Sequence, residues 1–597
     1  MLLTMLSEAQ KEIQLRKPYL AGYFGQECAP FALKRAKNGE VVVELQQGGA
    51  VRDLSSAYNP GQQAARLLES LGPLRGSEIL LILGAGNPEL LNQVPGLLRE
   101  NQICITVDAE AALGALLTRP EAGVTQYLLR PGCHLFCGPA MQPALRSYME
   151  ALPARRLSGL RVLRHRASID LDPDFYRQTE LAVRDILRSR MSDMLTRFEF
   201  EPVWLRNILI NTRHLPASPS RHSLGPWQNC LAGTPGLLVA AGPSLRQSLP
   251  EIAELRKRAF VLACDTAFRP LAAAGILPHA VLTLDAQRHT LLPFLGSPGL
   301  EATLLFADLV TNPLVLRSVR ARAVIFSTTA RITHASDGSL RREATAGTAF
   351  AESIHGPLGA LQSGGSVATS GFDLLRNLGC DPILLIGQDL AYTNRTIHSM
   401  GTHHTRRWLS TSNRTTALET TIERIVRKRE TMDVEGLDGA PVLSDYVLSL
   451  YRHWFEVSLP SVSNRVVNLS AAGARIAGAE QLDACAILEE LPVLSHDASA
   501  AFADALPLEA FEHEAALRLY ADVRRSTGEK HAIAQAEALF ERHGDLAVLG
   551  DRARVYLERN REKLGAQRAE TLYARNLSQA LSNLERGLRP YYEKKQQ

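Results

Sequence analysis

The chain has 597 residues, 45% of them apolar and 21% charged, with a formal net charge of +4. That length exceeds one ordinary domain and that composition belongs to a packed protein, which excludes a disordered chain and predicts about three units. The small charge offers no basic face for nucleic acid, no window holds the ~18 unbroken apolar residues of a membrane span, and Glu and Lys arrive too early in MLLTMLSEAQKEIQLRK for a secretory segment, so a cytoplasmic protein is expected.

Residues 1–205 read as an α/β domain. EILLILGAG, from Glu78 to Gly86, is an apolar run ending in glycines. A helical pattern follows in PELLNQVPGLLRE, then a second buried run with an acidic end, ICITVDAE, from Ile103 to Glu110. Strand, glycine turn, helix and strand with an acid form the order of a Rossmann-like half. Gly84-x-Gly86 lacks a third glycine at the usual spacing, which favours a structural domain over a nucleotide-binding one. The eight cysteines are scattered, several inside apolar runs, and are expected to be reduced thiols. Cys133 and Cys137 with His134 between them suggest a metal only weakly, since no second ligand pair follows. From His214 to Asn229 the polar, Pro- and Ser-rich HLPASPSRHSLGPWQN has the composition of a linker.

Residues 206–480 carry strand-like runs in regular order: GLLVAAG, AFVLACD, HAVLTLD, TLLFAD, AVIFS and PILLIGQD. Most alternate with helical segments, the pattern of a doubly wound parallel sheet. Four of the runs end in Asp265, Asp285, Asp308 and Asp389. In open α/β sheets ligands bind outside the carboxyl ends of the strands, so these acids gather at the expected crevice, although one strand-end Asp alone is more often a helix cap. After GLLVAAG, Gly242 allows a close approach or an unusual backbone, Pro243 suits a first helical position, and Ser244 adds a hydroxyl, together a candidate phosphate cradle. Gly364, Gly365 and Ser366 open another helix in the same way. PILLIG then delivers Gln388 and Asp389, and the loop beyond carries Tyr392, His398, His403 and His404. Three histidines after a strand-end acid point to proton transfer or metal binding, and a general-base role is preferred. Residues 481–597 are almost wholly amphipathic helix, a covering bundle or a surface for a protein partner.

The block GGSVATSGFDLLRNLGCDPILLIGQDLAYTNRTIHSMGT resembles the motility accessory factor (Maf) flagellin glycosyltransferases. The resemblance continues through VAAGPSL, the LDAQ strand end at Asp285 and Gln287, and NLSAAGARIAG, with weaker likeness at LSSAYNP and LILGAGNPELL. The central domain of that family is similar to bacterial sialyltransferases and to the MptE-like 6-hydroxymethylpterin diphosphokinase group. The resemblance implies a Rossmann-like N-terminal domain, a sialyltransferase-like centre and a helical C-terminal domain that could bind flagellin. It implies transfer of a pseudaminic- or legionaminic-type nonulosonic acid from a CMP-sugar to Ser or Thr of flagellin. The donor is a substrate, no resident cofactor is implied, and a divalent metal stays open. Bacterial sialyltransferases have an Asn where this chain has Ala241, so the donor contact of that Asn must come from elsewhere.

Glycosyl transfer develops oxocarbenium character, and CMP leaves without much protonation. The chemistry therefore asks for a held phosphate and a base for the incoming hydroxyl. His398 is the first choice for the base and His403 the second, with Asp389 beside them. Asp265, Asp285, Gln287, Gln388 and Tyr392 are expected to fix sugar and nucleotide. Two alternatives stand beside this reading: ATP-dependent pyrophosphoryl transfer to a pterin-like alcohol, with magnesium on Asp285 and Asp389, and a non-catalytic flagellin-binding assembly factor.

Overall fold

The computed structural model describes residues 6–74, 78–99, 102–152, 159–334, 340–527 and 532–593. The first residues of the N-terminal segment, the last residue of PELLNQVPGLLRE and the start of the helical run HAIAQAEALFERH fall outside these. The chain divides into two compact units, residues 1–197 with 333–341, and residues 198–332 with 342–597.

The first unit is built on two sheets. Strands β1 (Phe31–Arg35), β2 (Val41–Gln47) and β3 (Ala50–Asp53) form an antiparallel sheet, which the sequence reading lacked. Strands β4 (Glu78–Leu83), β5 (Ile103–Asp108), β6 (Cys133–Cys137) and β7 (Gly159–Arg164) form a parallel sheet in the order β6-β5-β4-β7. Its runs are apolar throughout because both faces are covered: Leu80, Ile82 and Cys104 meet helix Pro88–Leu97, while Leu81, Ile105 and Val107 meet Tyr176, Val183 and Leu187.

The turn after β4 is filled by the protein itself. Gly84 has φ +101°, and a Cβ there would lie 2.5 Å from Ser168 Cβ; one at Gly86 would lie 2.8 Å from Ser168 Oγ. The Ala85 N–H donates to Asp108 Oδ2 at 2.7 Å and the Gly86 N–H to Ser168 Oγ at 3.2 Å. Amides that would meet a pyrophosphate in a dinucleotide site are thus already engaged. The period of two along β6 turns Cys133 and Cys137 into the same core, while His134 packs among Tyr19, Phe136 and Tyr148. Among the described residues no group of three His, Cys, Asp or Glu could hold a metal ion.

The second unit contains a ten-stranded sheet. Its strands are β8 (Gly236–Val239), β9 (Phe260–Cys264), β10 (Ala280–Thr283), β11 (Leu304–Asp308), β12 (Ala323–His334), β13 (Leu340–Ala344), β14 (Ala360–Gln362), β15 (Ile383–Ile386), and later β18 (Val466–Asn468) and β19 (Glu480–Gln481). The order is β13-β12-β11-β10-β9-β8-β15-β18-β19, with β14 beside β12. The pairs from β12 to β19 run parallel. Alternate residues go to opposite faces: Leu237, Val261 and Leu384 to one core, Leu238, Leu262 and Leu385 to the other. Helices Leu249–Leu255 and Asp265–Ala273 cover the first face, and Val367–Asn377 the second.

Three features depart from the sequence reading. Residues 214–229 are not a linker: His222, Ser223, Leu224 and Trp227 are buried, and Leu224 and Phe326 bond backbone to backbone, N–H to carbonyl, at 2.9 Å. The His222 carbonyl accepts the Phe326 N–H at 2.7 Å, so the backbone of this segment completes the edge of β12. Residues 431–445, where the sequence reading placed no strand, hold β16 (Thr431–Glu435) and β17 (Pro441–Asp445), which pair as an antiparallel hairpin. Residues 481–511 pack onto the central cores through Ile487, Leu491 and Phe502. The remaining helices, Glu514–Arg525, Ala532–Arg542, Ala547–Leu564 and Ala566–Tyr592, close around Leu205 and Leu209. No helix among the described residues is long and apolar enough to cross a membrane.

Candidate functional site

The chain starts the large sheet at β8, works outward through β9 to β12, then returns to lay β15 and β18 on the other side of β8. The point where the order reverses lies between β8 and β15, and the crevice of a doubly wound sheet opens there, at the carboxyl ends. Gly242 to Ser244 follow β8, and Gln388 and Asp389 follow β15.

Asp389 ties these ends together. It is 1% exposed and accepts Ser244 N–H at 2.8 Å, Ser244 Oγ–H at 2.5 Å and Thr393 Oγ1–H at 3.2 Å. Three glycines make room. A Cβ at Gly242 would lie 2.3 Å from Asp389 Oδ1, one at Gly473 2.3 Å from the Asp389 carbonyl, and one at Gly387 2.3 Å from the Ala240 carbonyl. Gly242 has an ordinary φ of −60°, so close approach alone demands the glycine there. Burial pushes the Asp389 carboxyl up to about 6, against the lowering effect of the Ser244 and Thr393 bonds.

This arrangement corrects the first phosphate cradle. Ser244 gives both its amide and its hydroxyl to Asp389, and the segment Pro243–Arg246 is a single 3-10 turn. The second cradle has a longer helix behind it. Ser366 caps Val367–Asn377 and shares a reciprocal box with Thr369, whose Oγ1 also accepts the Gly364 N–H at 2.9 Å. Side chains at Gly364 and Gly365 would run into Trp454 and Tyr451, and Gly371 lets the helix approach Leu238 closely.

The strand-end acids mostly serve their own turns. Asp265 accepts from Thr266 N–H at 2.6 Å and Thr283 Oγ1–H at 3.0 Å; Asp308 accepts from Val310 N–H at 2.8 Å and from Thr329. Both are buried, and burial raises each to about 6. Asp285 differs. Its side chain is 39% exposed, and it receives the Gln287 N–H at 2.9 Å on Oδ1 and pairs with His289 Nε2 at 3.1 Å on Oδ2. Gln287 itself is exposed. Tyr392 is turned away from a ligand role: it is 5% exposed and its hydroxyl donates to Asp445, the cap of helix Tyr446–Ser458.

The histidines form one cluster. His398 and His404 stack with centroids 4.7 Å apart, and His403 and His404 lie 3.9 Å apart at 38°. His398 is in hydrogen-bond contact with the Ala241 backbone, and the Ser399 N–H donates to the Ala241 carbonyl at 3.0 Å. Burial pushes His398 and His403 down to about 4 and His404 to about 3, with the neighbouring histidines adding to the effect at His403 and His404. His289 stands within electrostatic reach of His403 and His404. Sequence reading passed over His289, although Asp285 and His289 four residues apart in one turn were the available signal.

Several buried polar atoms at this edge have no hydrogen-bond partner among the described residues: Gln388 Oε1, Asn468 Nδ2, Ser399 Oγ and both ring nitrogens of His403. An orphaned buried group costs roughly 1–3 kcal/mol, and such groups collect where a site, rather than a core, sets the composition. Arg395 and Thr396 of the Tyr392–His398 loop also line a cavity of about 870 Å³, with Ile422, Glu423, Arg424 and Lys428 among its other residues. Glu423 pairs with Arg395 and Arg427; no carboxylate among the described residues pairs with Arg424 or Lys428. Two asparagines outside every sequence motif, Asn207 and Asn211, hold the β10 and β11 ends from behind. Both are fully buried, and each amide donates to two backbone carbonyls, those of Ala286 and Val310 and of Leu309 and Thr311.

A family model described as 6-hydroxymethylpterin diphosphokinase MptE-like matches residues 206–395. An uncharacterized protein of Treponema pallidum (strain Nichols) is 25% identical over 133 residues, 21% of this chain and 61% of that protein. The chain therefore spans less than two thirds of that curated relative's length. The structure of a Maf glycosyltransferase from Magnetospirillum magneticum AMB-1 is similar over 98% of this chain and 96% of that one, with a TM-score of 0.55 and 15% identity. The α/β fold that the sequence resemblance implied is thus matched from one end of the chain to the other.

Proposed function

We propose that the protein is a glycosyltransferase that moves a nonulosonic acid, of the pseudaminic or legionaminic acid type, from a CMP-sugar to Ser or Thr hydroxyls of flagellin. The observation that carries this reading is the cluster of His289, His398, His403 and His404 set against the crevice where β8 and β15 diverge. The imidazoles of His398, His403 and His404, lowered by burial, suit a reaction that must accept one proton from a hydroxyl, and the helix start at Ser366 suits the phosphate such a reaction must hold. The full-length likeness to a Maf glycosyltransferase agrees with that chemistry. Maf resemblance in the motif block supplies the donor and the acceptor, and the C-terminal helices are the surface assigned to flagellin.

The MptE-like match gives a second reading, pyrophosphoryl transfer from ATP to a pterin-like alcohol. It fits the residues less well. The two acids that would share magnesium are committed elsewhere, Asp389 to Ser244 and Thr393, and Asp285 to His289 and the Gln287 amide.

Calorimetric titration of the full chain with CMP and with ATP separates the two readings. CMP binding with no heat from ATP supports glycosyl transfer. A preference for ATP overturns it, and binding of neither leaves the non-catalytic flagellin-binding factor.

A further inference from the structure

We infer that His289, held by Asp285, is the general base that deprotonates the acceptor hydroxyl; the inference rests on the glycosyl-transfer reading above. Three features separate this histidine from the others in its cluster.

The first is orientation. His289 Nε2 lies 3.1 Å from Asp285 Oδ2, an ion-pair contact that sets this nitrogen against the carboxylate and leaves Nδ1, on the other side of the ring, to receive a proton. Asp285 is in turn fixed by the Gln287 N–H on its other oxygen, at 2.9 Å, and its carbonyl receives the Asn312 N–H at 3.1 Å. The second is access. The His289 side chain is 40% exposed, whereas His403 is 7% exposed, and a protein hydroxyl must reach the base from outside. The third is the commitment of the alternatives. His398 is engaged with the Ala241 backbone, and His404 is stacked between His398 and His403.

The surroundings agree. His403 and His404, at the start of the helix His403–Thr411, stand within electrostatic reach of His289. Asp265 lies behind Asp285. Arg317, on the helix Pro313–Ser318 packed against this turn, lies over the Tyr591 ring instead. In the transfer step the acceptor oxygen bonds to the anomeric carbon as the bond from that carbon to the phosphate oxygen breaks. CMP leaves with the electron pair, and the hydroxyl proton passes to His289 Nδ1. The resulting imidazolium is stabilised by the Asp285 carboxylate, 3.1 Å from its Nε2. Asp285 is a positioning residue in this scheme rather than a ligand for the sugar.

The test uses the full chain with CMP-sugar and flagellin. His289→Ala should lower kcat by about 10² to 10⁴-fold with the donor KM little changed, and added imidazole should restore part of the rate. Asp285→Asn should lower kcat about tenfold or more, again at constant donor KM, by removing the charge that pairs with the imidazolium. A fully active His289→Ala beside an active wild type overturns this inference alone. So does a loss in His289→Ala that imidazole leaves untouched while the donor KM rises. Absence of transfer by the wild-type chain from either sugar overturns the glycosyl-transfer reading and this inference with it.

Discussion

Replacing Asp389 tests the joint that holds the two strand ends together. In Asp389→Ala the Ser244 amide and hydroxyl lose their acceptor at a residue only 1% exposed. Each orphaned buried donor costs about 1–3 kcal/mol, so the variant should lose about 2–5 kcal/mol of unfolding free energy, while the half-buried Thr393 can turn to water. Asp389→Asn keeps the shape and one acceptor oxygen and removes the buried charge. Burial raises the folded-state carboxyl from 3.8 to about 6. A folded value above the unfolded one means that the folded protein holds the proton more tightly. Wild type therefore gains stability as pH falls through 6, and the gain is complete below about 4. For these two values the gain between pH 7.5 and pH 5 is about 1.4 kcal/mol, and Asn at this position has no such gain. Urea unfolding of wild type and both variants at the two pH values measures it, with other titrating groups cancelling in the difference. An alanine variant that costs under about 1 kcal/mol would refute the pin, on the same scale of hydrogen-bond energies. A wild-type-minus-asparagine difference that stays flat with pH would refute the buried charge.

Further outcomes follow from single contacts. Gly242→Ala puts a methyl 2.3 Å from Asp389 Oδ1 and 2.4 Å from the Gly387 carbonyl, and should cost about 1–3 kcal/mol in chemical denaturation although its backbone suits alanine. A neutral result would show that the strand ends part easily. In the first unit, Gly84→Ala should lower the melting temperature more than Gly86→Ala, because φ +101° adds backbone strain to the contact with Ser168. The reverse order would contradict the packing of that turn. Tyr392→Phe should cost about 1 kcal/mol of stability through the lost Asp445 bond, with the donor KM unchanged. A raised KM at unchanged stability would return Tyr392 to the ligand.

The six central strand runs were legible because each is continuous apolar sequence closed by a polar end, which is how a strand buried on both faces is written. The antiparallel strands β1 to β3 and the β16–β17 hairpin were not, since short half-exposed strands carry little periodic signal. Residues 214–229 misled for a related reason: Ser220, His222 and Ser223 look like linker residues, but their side chains bond within the segment and the His222 carbonyl accepts the Phe326 N–H of the sheet. At the site, the strand-end glycines and acids could be found from their positions, while their roles depended on partners far along the chain. Asp389 meets Ser244, which is 145 residues away, and Tyr392 meets Asp445, which is 53 residues away. Neither pairing can be read from local spacing. The Asp285–His289 pair is local, only four residues apart, and was within reach of the sequence alone.

The account stands most directly on the intact mass of flagellin co-expressed with this protein in a host that supplies CMP-pseudaminic and CMP-legionaminic acid. A transferase of this kind produces a ladder of nonulosonic-acid increments that vanishes when the protein is omitted, and the increment identifies the sugar. Flagellin of unchanged mass, with both donors and folded protein present, would contradict it.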